Sequence, residues 1–214
     1  MANIFFNKDQ FNFKRNSRSA TLAIVELAVL AAIVVVLQLA GSFIRFGPFS
    51  ITLVLIPIVL GAALYGPLAG LWLGYVFGVT VLLSGDANAF LVINPFGTVL
   101  TVLLKGMTAG FASGLVYNLI AKKNTWVAAF AAAIVCPVVN TGMFLLGCLV
   151  FFMPTIREWS AAAGFANAGA YMIIGLVGLN FLVELGIDLI LAPGLHRLLY
   201  LLNKSVRRNN GYRR

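Results

Sequence analysis

Long uncharged apolar runs dominate this sequence, and their length decides what the chain can become. Each holds roughly 14 to 25 residues, enough to cross about 30 Å of hydrocarbon at about 1.5 Å per residue. Of the 214 residues, 61% are hydrophobic and only 10% charged, where a soluble domain carries about a quarter. Lipid is the expected solvent for most of the chain, and the expected fold class is an all-α integral membrane protein.

Six segments have the required character: 20–44, 50–65, Pro67–Ser84, Pro95–Ala121, 126–152 and 169–203. Gly66–Pro67 reads as the turn between the second and third. The chain then divides into a basic N-terminal segment, 1–19, a six-transmembrane-helix bundle, 20–203, and a basic tail, 204–214. The apolar stretch beginning near Ala20 is too long for a signal h-region, and no cleavage site leads into a soluble domain.

The net charge is +9, and its placement explains it. Lys8, Lys14, Arg15 and Arg18 precede the first run, Lys122 and Lys123 separate the fourth from the fifth, and Arg197, Lys204, Arg207, Arg208, Arg213 and Arg214 lie at the C-terminal end. The opposite connections hold only Arg45 and Arg157. Positive charge gathers on the cytoplasmic side of membrane proteins, so both termini are expected in the cytoplasm. The distribution argues against a nucleic-acid-binding stripe. Three connections, 45–49, 85–94 and 153–168, then face outward, and the last two are long enough to fold over a ligand.

Gly70, Gly74 and Gly78 fall on one helix face, as do Gly106, Gly110 and Gly114. Small residues four apart let lipid-embedded helices approach closely, so these glycines are expected to be structural. Cys136 and Cys148 share one run, about 18 Å apart on a continuous helix, and read as small hydrophobes beyond disulfide reach.

Charges inside the spans demand partners. Lys105 lies about 15 Å down its helix, and Glu184 is the expected partner in a buried ion pair, with Glu26 as second choice. Asp188, one turn below Glu184, is expected at the basic interface, as is His196. Uncharged polar groups gather in the outer half: Asn94, Thr98, Asn140, Thr141, Asn167 and Tyr171, with Asp86 and Asn88 in the loop above and Asn180 deeper. Beside Phe43, Phe46, Phe49, Phe90 and Phe96 they describe a mostly apolar pocket with a few orienting polar groups. Singly, each of these residues also suits a helix cap or an interhelical bond.

Much chemistry is missing. No phosphate-binding loop G-x-x-x-x-G-K-[ST] occurs, no His/Cys/carboxylate set has metal spacing, and one histidine at the inner end leaves little acid–base capacity. Neither an enzyme nor a cofactor is expected. Asn94–Pro95 is shared with the half-helices of water channels, but there it occurs twice, and Pro57 and Pro137 do not make the paired broken helices of a secondary transporter.

An alanine pair, Ala28-x-x-x-Ala32, follows the basic N-terminus. Beyond it come the loop Phe43-Ile-Arg-Phe-Gly-Pro-Phe49 and the run Ile56-Pro-Ile-Val-Leu-Gly-Ala-Ala-Leu-Tyr-Gly-Pro-Leu-Ala-Gly70. With size, span count and polarity, these make the whole chain resemble the substrate-binding S components of energy-coupling factor (ECF) vitamin transporters. The resemblance implies capture of a scarce water-soluble vitamin from outside. Delivery is to a membrane coupling subunit with two ATPases, after the protein topples in the bilayer. It places the coupling-subunit contact at Ala28 and Ala32, and substrate binding at Arg45 and the polar groups Asp86, Asn88, Asn94, Thr98, Asn140, Asn167, Tyr171 and Asn180. The Lys105–Glu184 pair matches no general motif of that family.

Arg45 suits the carboxylate of pantothenate or folate, and the low charge of the outer face suits riboflavin, cobalamin or a pyridoxine-like vitamin. The alternatives are a stand-alone channel or proton-coupled carrier, which would carry flux without partners or ATP, and a membrane scaffold, which would gain no stability from any small ligand.

Overall fold

The computed structural model describes residues 17–43, 45–46, 49–50 and 54–211. It is helical but for one short pairing, in which β1 (Arg45–Phe46) runs antiparallel to β2 (Phe49–Ser50), Arg45 opposite Ser50. The helices are α1 (Ser17–Gly41), α2 (Leu55–Tyr65), α3 (Pro67–Ser84), α4 (Asn88–Leu91), α5 (Pro95–Ala121), α6 (Thr125–Phe151), α7 (Met153–Ala162), α8 (Ala168–Ala170) and α9 (Leu179–Gly211). A π-helical stretch, Tyr171–Gly178, joins α8 to α9.

Among the described residues, α1, α3, α5 and α6 are long and apolar enough to cross a membrane. A fifth crossing follows if the rod from Ala168 to Leu199, bent by 41° at the end of the π-helical stretch, is taken as one span. Within the expected second span, the described helix is the 11-residue α2, about 16 Å long. Its Val54, Leu55, Ile58, Val59 and Ala62 are essentially inaccessible, so α2 is wrapped by protein and not by lipid.

Local chemistry sets the helix ends. Asn94 caps α5 by accepting a hydrogen bond from the Gly97 amide at 2.9 Å, with Pro95 in the first turn, where its missing N–H costs nothing. Asn124 caps α6 through the amides of Trp126 and Val127. Gly66, between α2 and α3, has φ 90°, a conformation that side chains disfavour.

The two glycine ladders face each other. A Cβ on Gly70 would fall inside the Gly110 carbonyl, and one on Gly74 inside the Gly106 carbonyl; one on Gly78 would lie 3.0 Å from the Val102 oxygen. Helices α3 and α5 thus cross in contact along their backbones, antiparallel, which fixes their registry. Helix α5 packs most extensively against α6 and α3 and forms the centre of the bundle. Cys136 and Cys148 are both free and buried.

Helix α1 is the peripheral member. Leu22, Ile24, Val25, Val29, Ile33 and Val36 are exposed on it, as a lipid-facing helix requires. It is tied near one end by the Tyr65 hydroxyl, which donates to Glu26, and near the other by Gln38 Nε2, which donates to Asp86 Oδ2 at 2.7 Å. Glu26 therefore has its hydrogen-bond partner in Tyr65. Asp188 also departs from expectation: it is 2% exposed, because α9 packs closely on the alanine-rich α6 and its carboxylate stays inside the bundle.

Candidate functional site

A cavity lies between α3, α5, α6 and α9, with Phe90 of α4 in its lining. It holds about 90 Å³ of space for the centres of water molecules, several times the roughly 10–15 Å³ that one water needs. Its walls are largely apolar: Phe77 and Val81 from α3, Val102 from α5, Phe144 from α6, and Leu176, Val177 and Phe181 from the final rod. Phe90 of α4 closes one side. Its ring meets Phe152 edge-on at 4.9 Å, Trp159 at 5.6 Å and Phe144 at 5.7 Å, an aromatic cluster that holds α4 and α7 over the cavity.

Polar groups enter this lining from four directions. Helix α5 presents Thr98, Thr101 and Lys105 on one face, at the three- and four-residue spacings of a single helix stripe. Helix α6 supplies Asn140 and Thr141, α9 supplies Asn180 and Glu184, and the Gln38–Asp86 hydrogen bond sits in the wall from α1. The Lys105 ammonium lies 5.6 Å from the centre of the Phe77 ring and 5.5 Å from that of Phe144, within cation–π range of both. Glu184 and Asp86 are the nearby carboxylates whose charges act on it.

Four of these residues carry a buried side-chain oxygen without a hydrogen-bond partner: Gln38 Oε1, Thr101 Oγ1, Asn140 Oδ1 and Asn180 Oδ1. Buried polar atoms are nearly always paired, so four orphans around one cavity mark a place where a partner is to be supplied.

The expected site residues divide accordingly. Asp86, Thr98, Asn140 and Asn180 converge on the cavity, and Lys105 and Glu184 with them. Asn94 and Asn167 lie outside the lining; their side chains cap helices, Asn167 accepting from the Ala170 amide at 2.8 Å. Tyr171 packs edge-on against Phe165 at 5.3 Å, and Asn88 is exposed beside Gly85; neither lines the cavity. Arg45 belongs to β1, but its side chain lies outside the described residues.

Of the expected aromatics whose side chains are described, Phe90 alone lines the wall. Phe43 and Phe96 are 88% and 73% exposed, and the side chains of Phe46 and Phe49 lie outside the described residues. Sequence reasoning missed Gln38 and Thr101. Each had a signal: Gln38 is the one amide in the first apolar run, and Thr101 shares the stripe of Thr98 and Lys105.

A largely apolar cavity with a few converging polar groups is the form that small-molecule sites take. Residues 22–196, most of the chain, match the family described as ECF transporter, substrate-specific component. The chain is also similar to the pantothenic acid transporter PanT of Lactococcus lactis subsp. cremoris (strain MG1363), 28% identical over an alignment of 199 residues, with 85% of this chain and 94% of that one covered. No solved structure matches the chain significantly. The chain therefore belongs to the substrate-specific components of ECF transporters, multi-pass proteins of the prokaryotic cell membrane that serve vitamin uptake as transporter subunits and not as enzymes.

Proposed function

We propose that this S component captures pantothenate from outside the cell and hands it to a membrane coupling subunit with two ATPases. The observation that carries the choice of vitamin is the Lys105 ammonium between Phe77 and Phe144. It is the only Lys or Arg among the described lining residues, and in an apolar enclosure a cation favours a ligand with one carboxylate. Riboflavin and a pyridoxine-like vitamin bring no such anion. The named relative is a pantothenic acid transporter, which supports the same reading.

In this reading the chain crosses the membrane six times, with α2 as a crossing enclosed by its neighbours, and both termini are cytoplasmic. The segment 1–19 and the tail 204–214 face the cytoplasm. The cavity mouth beside α4 and α7 faces outward, with Asp86, Thr98, Asn140, Asn180 and Lys105 as its binding groups. Ala28 and Ala32 are both exposed on α1, leaving a shallow stripe on which a helix of the coupling subunit can lie.

Panthenol, the same molecule with an alcohol in place of the carboxylate, tests the choice of ligand. By calorimetry on the detergent-purified protein, pantothenate is expected to bind at least about 100-fold more tightly than panthenol, the scale of one lost charge-assisted contact in a buried site. Equal affinities, or tight binding of riboflavin instead, would remove the pantothenate reading.

The docking assignment has its own test. Ala28→Trp is expected to abolish co-purification with the coupling subunit and uptake into cells, with pantothenate affinity unchanged. Loss of binding in that variant would count against Ala28 as a docking residue.

A further inference from the structure

The proposed ligand class leaves open what distinguishes the vitamin from molecules of similar shape and charge. The buried side-chain atoms of the lining that lack a hydrogen-bond partner are all oxygens. Against one ammonium, Lys105, the lining sets two carboxylates, Asp86 and Glu184, and the four unpartnered oxygens of Gln38, Thr101, Asn140 and Asn180. Gln38, Thr101 and Asn140 are 3%, 6% and 5% exposed, so bulk water does not satisfy them. The orientation of Gln38 is fixed, because its amide nitrogen is committed to Asp86 and its oxygen is the atom left over.

Resting on the pantothenate reading, we infer that the cavity is an acceptor-lined site that selects its ligand by hydroxyl and amide donors, and that it refuses the phosphorylated form of the same vitamin. Pantothenate brings two hydroxyls and one amide N–H, three donors for the amide oxygens of Gln38, Asn140 and Asn180, which only accept, and for the Thr101 hydroxyl, which can do either; it also brings one carboxylate for the one cation. A ligand lacking the hydroxyls leaves buried acceptors unpaired, the circumstance in which binding sites discriminate most strongly. A phosphate on the terminal hydroxyl replaces a donor by a dianion. No second cation among the described lining residues meets it, and Asp86 and Glu184 repel it.

The test is a competition series by calorimetry on the wild-type protein in nanodiscs. The ligands are pantothenate, N-(3,3-dimethylbutanoyl)-β-alanine, which keeps the shape and the carboxylate but has neither hydroxyl, and the vitamin phosphorylated on its terminal hydroxyl. Both analogues are expected to bind at least about 100-fold more weakly than pantothenate. Asn140→Leu is expected to weaken pantothenate about 10-fold or more and to leave the hydroxyl-free analogue within about threefold of its wild-type affinity. A hydroxyl-free or phosphorylated analogue that binds as tightly as pantothenate overturns the inference and leaves the vitamin assignment standing. If pantothenate itself fails to bind, the assignment and the inference fall together. Because the series uses the unaltered protein, a misfolded variant does not obscure the result.

Discussion

Lys105→Met is expected to reduce pantothenate affinity between about 30-fold and a few thousand-fold, the equivalent of about 2–5 kcal/mol for a buried charged contact that loses one partner. Methionine keeps the unbranched stem, so the contacts with Phe77 and Phe144 survive and the cavity keeps its shape. Panthenol, which has no carboxylate to lose, should bind the variant as it binds the wild type. The preference for pantothenate over panthenol therefore vanishes in Lys105→Met, which a general loss of folding would not reproduce. Removing the ammonium also takes away a positive charge that acts on the Glu184 carboxylate, so the variant is expected to be less stable as well. The double variant Lys105→Met/Glu184→Gln should recover most of that stability and none of the affinity. Thermal unfolding and calorimetry on the same preparations separate the two effects. An unchanged pantothenate affinity in Lys105→Met would show that the carboxylate binds elsewhere.

The second large effect concerns the fold. Gly74→Val is expected to lower the unfolding temperature by about 10 °C or more, because its Cβ would occupy the position of the Gly106 carbonyl and both atoms belong to rigid helix backbones. Overpacking a core costs about 1–3 kcal/mol when side chains can yield. Here only a separation of α3 from α5 relieves it, and each kcal/mol corresponds to about 2–4 °C in a chain of this size. Since α3 and α5 both line the cavity, ligand binding should weaken in parallel. Gly142→Val is the matched control, for beyond its chain neighbours and its own stretch of helix backbone nothing lies within 4 Å of the position a Cβ would take there, and its unfolding temperature should stay near that of the wild type. Equal effects of the two substitutions would mean that the ladder does not hold the helices together.

How far the sequence revealed this arrangement depended on how local the governing chemistry was. The bounds of α3 and α5 are those expected, because Gly66–Pro67 and Asn94–Pro95 set them through turn and cap geometry within a few residues. The glycine faces were legible as well, since small residues four apart have one main use in lipid. Their pairing with each other was not, because it depends on the antiparallel registry of two helices.

The same contrast divides the site. Asn140 and Asn180 sit inside helices, where the backbone amides are already paired and an amide side chain must look outward for a partner. Asn94 and Asn167 stand just ahead of helices, where free backbone N–H groups claim the side chain first. The position of each residue within its run, more than its type, separates the lining from the caps. The bend of the last rod had no comparable sign, since the π-helical stretch Tyr171–Gly178 carries no proline.

Helix α1 lies against the bundle like a staff with a pin near each tip, Glu26 with Tyr65 and Gln38 with Asp86. Twelve residues, about 18 Å, separate those pins, and Ala28 and Ala32 fall in between. A weight leaned on the middle of such a staff is borne at both fixings. The far one is part of the cavity wall, so in the proposed docking a helix resting on that flank of α1 would load the Gln38–Asp86 hydrogen bond.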